Sequence, residues 1–393
     1  MAWSKQPEAE PEILDVWELQ PGAALARKVY TTRSGIQGPR EGTPRMMDLL
    51  RRDEEIWDLF TRKEECGRCD RDQFGRFPYY KSRHRDVCVP RASQMLIEHG
   101  FDCEYPEAQP FAICLTHDID TVYQPLHSKG FEIVKALKEG NFPSAGRIIP
   151  QLRSKKLPAW NFKEILELEE SHGACSSFYF LALEKEEREY AYAIEDLEQE
   201  ICMLQDRGWE VGLHGGCKAY CDPERLQREK RHLETVLNRN VTGYRNHYLR
   251  FQVPETWELL KEAGFLYDTT LGYPDCVGFR NGMCHPFQPF NPNTGREMDI
   301  LEIPLVVMDR TLLLHMRLSP EQAWDQMERL LNTTEQHHGV ITVLWHNEFM
   351  TDASFQFYRK ILEYGRDRGA WMTGGREITA WWKKNGLRAP PPQ

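Results

Sequence analysis

At 393 residues, 40% hydrophobic and 28% charged with a formal net charge of −10, the chain reads as a soluble globular protein: one large domain with an extension, or two domains. The acidic balance argues against general nucleic-acid binding, which needs a basic surface. No apolar run approaches the roughly 20 residues of a membrane-crossing helix, and the polar start Met1-Ala2-Trp3-Ser4-Lys5-Gln6-Pro7-Glu8 has no secretory hydrophobic core. A cytoplasmic location is therefore expected, where the eleven cysteines, an odd number, fit reduced thiols better than a disulfide framework.

Residues 1–108 are rich in glycine, proline and arginine and show no regular α/β alternation, so they are expected to form an N-terminal extension packed on the main domain. Met46 to Phe60 has the apolar spacing of one helix, and Pro90 to His99 reads as a second, stopped by Gly100. Cys66-x2-Cys69 followed by His84-x3-Cys88 has the spacing of a small structural zinc site, although unrelated thiols in an arginine-rich loop fit the same residues.

From residue 109 a unit repeats: helix, glycine stop, short apolar strand. Phe111-Ala112-Ile113-Cys114-Leu115 is an apolar run that ends in Thr116-His117-Asp118-Ile119-Asp120. Ile194 to Arg207 is a helix closed by Gly208, with strand 209–213 after it. Asp222-Pro223-Glu224 opens a helix to about Asn238, followed by strand 241–244. Pro254 to Gly264 is a helix followed by strand 265–267, and Ser319 opens a longer helix that ends near Gly339. Val340-Ile341-Thr342-Val343-Leu344-Trp345 is the most strand-like run, and Ala370-Trp371-Met372-Thr373 is the last. About seven strands alternating with helices imply a mostly parallel sheet, curled into a (β/α) barrel over residues 109–385. Residues 386–393 are expected to be a disordered tail.

The strand ends carry the chemistry. Asp118 and Asp120, His214, Arg245 with His247, Asp268 and His346 each stand at the carboxyl end of an expected strand, and in a parallel barrel those ends share one face. Carboxylates and imidazoles converging there suggest a hydrolytic site for a borderline divalent metal, with one position open to water. Taken singly, each residue has a plainer reading: an aspartate as a cap or Asx turn, His214 at a turn, Arg245 in a surface ion pair.

The order and spacing of these residues resemble the polysaccharide deacetylases of the NodB-homology type, carbohydrate esterase family 4, over about residues 109–375. The resemblance implies a deformed (β/α)7-type barrel and five short motifs. Thr116-His117-Asp118-Ile119-Asp120 is similar to the first motif in its Asp-x-Asp variant, making Asp118 the general base and Asp120 a metal ligand. His214 falls where the second motif supplies a metal histidine. Gly243-Tyr244-Arg245-Asn246-His247-Tyr248 resembles the third, with Arg245 orienting Asp118 and the Tyr248 N–H facing the oxyanion. Tyr267-Asp268-Thr269-Thr270-Leu271-Gly272-Tyr273 resembles the fourth, and Leu344-Trp345-His346 the fifth, with His346 as general acid and Asp268 or another carboxylate maintaining its charge.

The second motif departs from the family: Lys218 stands where another histidine is usual. His247, in place of a common proline, is the expected substitute ligand, with Cys217 and His117 as lesser alternatives. Arg280, Tyr273 and Trp345 are candidates to contact substrate, a loop ion pair for Arg280 and a core role for Trp345 being the plainer readings, and His285-Pro286-Phe287 either lines the same rim or packs there. The resemblance thus implies a Zn2+-dependent hydrolase (Co2+, Ni2+ or Mn2+ being alternatives) that removes N-acetyl groups from an amino sugar or saccharide. A non-sugar amide hydrolase of the same fold, and a non-catalytic carbohydrate-binding relative, remain as other readings.

Overall fold

Nine short strands, most of them preceded by a helix, form one parallel sheet. The computed structural model describes residues 45–67, 70–122, 138, 160–184, 192–350 and 352–390. The strands are β1 (Ala112–Ile119), β2 (Ser177–Phe180), β3 (Glu210–Gly215), β4 (Gly243–Asn246) and β5 (Tyr267–Asp268). A separate antiparallel hairpin pairs β6 (Phe290–Asn291) with β7 (Arg296–Glu297). Then come β8 (Leu301–Glu302), β9 (Leu305–Met308), β10 (Val340–Leu344) and β11 (Trp371–Thr373).

Across the sheet the order is β8-β5-β4-β3-β2-β1-β10-β9, with every pairing parallel. β1 is central. β10 runs along one edge from Ala112 to Thr116, while β11 takes the first half of the other edge and β2 the second. The two outermost strands, β8 and β9, are separated in sequence by Ile303-Pro304 alone, so a covalent link spans the seam where ladder bonds would close a regular barrel. The result is the deformed (β/α) barrel expected.

Alternation along β1 explains where polar groups go. Successive side chains of a strand face opposite sides. Ile113, Leu115 and Ile119 join the large apolar core between sheet and helices, whereas Ala112 and Cys114 join the smaller core inside the barrel. Thr116, Asp118 and Asp120 continue that inner row toward the carboxyl end.

Local signals set the covering helices. Asp222 accepts from the Arg225 N–H ahead of Pro223–Leu237, and Ser319 with Gln322 forms a capping box on Pro320–Gln336. Two boundaries differ from the sequence reading. Met46 to Phe60 is broken into Met46–Leu50 and Glu54–Thr61, because the Asp53 carboxylate accepts from the Ile56 N–H and starts a new helix. Ile194 to Arg207 begins as a 3-10 turn, Ile194–Leu197, before the α-helix Glu198–Asp206.

The described residues fall in one compact unit. Residues 45–108 are zipped to the loop after β5: the Ala92 and Ser93 N–H groups donate to Gly282 O (2.9 and 3.1 Å). Gly282 has φ +73°, and a Cβ there would meet the Leu59 side chain at 2.7 Å, so any other residue would be strained. The expected disordered tail is corrected as far as it is described, since Asp102 and Arg388 exchange two backbone hydrogen bonds (3.0 and 2.7 Å). Residues 391–393 lie outside the described residues. No helix among the described residues is long and apolar enough to cross a membrane.

Candidate metal centre

Three strand ends bring Asp120, His214 and His247 together, each offering a ligand atom within 4.8 Å of the others, and all three are buried. Among the described residues no other group of this kind occurs. Asp120 follows β1 directly, His214 lies in β3, and His247 follows β4, whose Arg245 is in register with His214. The side chain expected as the substitute ligand, His247, thus stands beside Asp120 and His214, while Lys218 is exposed.

The hydrogen-bond state of the site fits a cation. His214 Nδ1 lies 3.1 Å from Arg245 O, so the N–H on that nitrogen donates to the carbonyl and Nε2 is left bare. That Nε2 is 3.2 Å from Asp120 Oδ1 and 3.7 Å from Asp118 Oδ2. Asp118 Oδ1, Asp120 Oδ1 and His214 Nε2 are all buried and have no hydrogen-bond partner. Buried acceptors facing one another without a donor are costly unless a positive charge lies between them. Two imidazoles and a carboxylate, with a fourth position open, are a donor set that suits Zn2+.

The electrostatics of Asp120 and His247 agree, whereas His214 is drawn toward its protonated form. Burial opposes ionisation of Asp120, but His247, His214 and His346 overcome it and hold the carboxyl far below its usual range. Burial pushes the His247 imidazole down to about 3, against the pull of Asp120, so the ring is neutral and able to ligate. His214 is raised, its burial outweighed by Asp118 and Asp120.

Around this centre stand the other expected groups. Arg245 Nη1 is 3.8 Å from Asp118 Oδ1, both side chains being buried, and Arg245 Nη2 donates to Thr116 Oγ1 (2.9 Å) and Thr269 Oγ1 (3.3 Å). His346 Nε2 is 3.7 Å from Asp120 Oδ2, which brings the expected acid to the same centre. Tyr248 takes a left-handed conformation (φ 61°), and its ring stacks on His247 at 3.9 Å.

The carboxylate on His346 is Asp309 and not Asp268. Asp309 Oδ1 binds His346 Nδ1 (2.7 Å) and Oδ2 accepts from the His346 N–H (2.6 Å). Burial would lower the His346 imidazole, but Asp309 raises it. Asp268 instead accepts from Thr270 N (3.1 Å) and Thr270 Oγ1 (2.6 Å) and lies against Glu302, where burial raises both carboxyls. Sequence reasoning missed Asp309, although Leu305-Val306-Val307-Met308-Asp309 has the same pattern of an apolar run ending in a carboxylate.

Other expectations are corrected. Arg280 pairs with buried Glu65 through Nε (3.1 Å) and Nη2 and donates to Gly272 O (2.7 Å), so it ties the N-terminal segment to the barrel. Tyr273 is buried, its hydroxyl accepting from Arg62 Nη2 (2.9 Å). Trp345 is wholly buried, stacks on Phe357 and donates to Ser354 Oγ (3.1 Å). None of the three presents a surface to a sugar. His285 sits beside Cys284, whose carbonyl accepts from Val340 N at the start of β10, at the opposite end of the sheet from the site.

His117 points to the helix side of β1, away from the barrel's inner row, to Trp345 O (2.7 Å) and Glu169 Oε1 (2.8 Å), and not toward the Asp120 cluster. Cys217 receives the Arg250 Nη1 donor at 2.8 Å instead. Cys66, His84 and Cys88 form no metal-ligating group among the described residues, and Cys88 Sγ accepts from Gln326 Nε2 (3.1 Å); Cys69 lies outside those residues.

No protein-family model matches the sequence, and no curated protein matches it. Among solved structures, a "putative polysaccharide deacetylase" from Mycobacterium smegmatis is similar at TM-score 0.50 and 16% identity, over 74% of this chain and 97% of that one. The peptidoglycan deacetylase PdaC from Bacillus subtilis is similar at TM-score 0.37 and 12% identity, over 70% of this chain and 94% of that one. BA3943 from Bacillus anthracis, a pseudoenzyme of the CE4 family, is similar at TM-score 0.38 and 12% identity, over 70% and 66%. The first likeness establishes the fold, a deformed (β/α) barrel of the polysaccharide-deacetylase type.

Proposed function

We propose that this chain is a metal-dependent hydrolase that removes N-acetyl groups from an amino sugar or saccharide. The observation that carries the reading is the set of bare, buried atoms, Asp118 Oδ1, Asp120 Oδ1 and His214 Nε2, brought face to face beside the neutral His247 ring. Asp120, His214 and His247 would hold a divalent ion, Zn2+ in the first instance. When bound, that ion supplies Lewis-acid polarisation of an amide carbonyl and of water.

The remaining steps belong to the chain's own groups. Asp118 takes the proton from the attacking water, and Arg245, 3.8 Å away, keeps that carboxylate oriented. The Tyr248 N–H donates to the oxyanion that forms as the carbonyl is attacked. His346 delivers a proton to the departing amine nitrogen, and Asp309 keeps the ring charged and aimed.

The test is a screen of metal-loaded protein over N-acetylated saccharides and small amides, with acetate release as readout. Release from a saccharide, lost on chelation and regained on adding Zn2+ or Co2+, supports the reading. Turnover confined to small amides transfers the same machinery to another substrate. No turnover, together with less than about 0.2 equivalents of bound metal, which would leave the Lewis acid missing, overturns it.

A further inference from the structure

The wall behind the expected metal ligand His247 comes from outside the barrel. Residues 71–76, in the N-terminal segment, touch the chain from His247 to Phe251 at three places. Arg71 Nη1 donates to Phe251 O (3.0 Å), Arg76 Nη1 donates to Tyr248 O (3.2 Å), and the Phe74 ring stacks on Tyr248 at 5.5 Å and 20°. Tyr248 in turn stacks on His247 at 3.9 Å and 24°. Three rings thus form a pile running from Phe74, 39% exposed, to buried His247.

The segment being held needs holding. Tyr248 and Leu249 both adopt left-handed backbone (φ 61° and 54°), a conformation disfavoured for bulky side chains. Two consecutive residues persist there only where the surroundings enforce it. The loop that does so is itself fixed: the Asp72 carboxylate accepts from the Phe74 and Arg76 N–H groups (both 2.9 Å) and from Arg76 Nε (2.8 Å). Arg76 also lies over the Phe74 ring, 4.8 Å from its centroid.

We propose that Phe74, with Arg76, is a positioning residue for the metal centre, holding the His247 ring in ligating orientation by way of Tyr248. The inference rests on the function proposed above. It assigns to the N-terminal segment, which the deacetylase motifs do not cover, a part in building the site. A metal-ligating imidazole is ordinarily oriented by a partner on its far side, and loss of such a partner costs about 10–100-fold in affinity or activity. A ring stack relayed through Tyr248 is one such contact here.

The experiment is calorimetric titration of the full chain with Co2+, in the unsubstituted protein, Phe74→Ala, Phe74→Tyr, His247→Ala and the double variant Phe74→Ala/His247→Ala. Thermal melting of the metal-free proteins checks the fold. Phe74→Ala is expected to weaken Co2+ binding about 10-fold and to shift the visible absorption bands of bound Co2+. Phe74→Tyr, which keeps the ring, restores both. In the His247→Ala background the Phe74→Ala change has no further effect, because its target is gone. Co2+ binding that depends on His247 yet is indifferent to Phe74→Ala overturns the inference alone. An equal weakening in both backgrounds also overturns it, as general loosening. Absence of Co2+ binding by the unsubstituted protein overturns the metal centre, and this inference with it.

Discussion

Asp309 clasps His346 twice, one carboxylate oxygen on the ring Nδ1 at 2.7 Å and the other on the backbone N–H at 2.6 Å. The pairing fixes the ring and raises its pKa against the effect of burial. In the proposed reaction His346 must be protonated, so the raised value sets the alkaline limb of the pH–rate profile. Asp309→Asn removes the charge and leaves burial, which lowers the imidazole. The alkaline limb should move to lower pH and the rate at neutral pH should fall, by less than the about 10²–10⁴-fold expected for His346→Ala. Steady-state rates from pH 5 to 9 measure it. An unmoved alkaline limb in Asp309→Asn would remove His346 from the role of acid.

Asp118 and Asp120 are two residues apart on the inner row of β1, yet they should fail differently. Asp118→Asn is expected to cost about 10²–10⁴-fold in turnover while metal content stays near that of the unsubstituted protein. Asp120→Ala should lower metal content itself. Rates and metal analysis on the same preparations separate the two, and normal turnover by Asp118→Asn would refute the base.

A pH effect on stability follows from the carboxyls of Asp268 and Glu302. Burial raises both, and the nearby Asp268 charge raises Glu302 further. A carboxyl raised in the folded state contributes stability that is present below its unfolded value, about 4.3 for Glu, and is lost as pH rises through the folded value. Glu302→Gln removes the titration and retains an oxygen for the Trp257 Nε1 or Leu271 N–H donor. Urea midpoints at pH 5 and pH 8 should differ less in this variant than in the unsubstituted chain. An unchanged difference would place the titration elsewhere.

Glu169 offers a purely structural prediction. Its carboxylate takes Tyr358 OH (2.7 Å), His117 Nε2 (2.8 Å), Ser176 Oγ (2.8 Å) and Trp209 Nε1 (2.7 Å), all in the interior between β1, β2 and their helices. Glu169→Ala leaves these donors without an acceptor, at about 1–3 kcal/mol for each one left unsatisfied. A loss of several kcal/mol in urea unfolding is expected, with Co2+ affinity of the folded protein little changed.

How much could be read beforehand depended on the kind of signal. Asp118, Asp120, His214, Arg245, His247 and His346 were legible because each ends an apolar run, and the period of a parallel sheet puts such ends on one face. The boundary errors are small and have a shared cause: His214, Arg245 and Asp268 lie within β3, β4 and β5 and not after them, because ladder bonding continues past the last apolar residue. Asp309 was missed because its strand has only four residues, Leu305–Met308, in a stretch without the helix-and-glycine frame that marked the others. Arg280, Tyr273 and Trp345 were misplaced for a different reason. Their residue types suit sugar binding, but whether a side chain faces a cleft or a neighbour such as Glu65 or Phe357 is settled by tertiary packing, which no local pattern encodes. The contribution of Phe74 was illegible for the same reason, since it depends on 71–76 meeting 247–251.

The most direct measurement is a crystal structure of the protein soaked with Zn2+, with an anomalous difference map at the zinc edge. The account predicts one strong peak among Asp120, His214 and His247, about 2.0–2.1 Å from an imidazole nitrogen of each histidine and about 2.0–2.2 Å from the carboxylate. A map without density there, or an ion held elsewhere while His247 turns away, would contradict it.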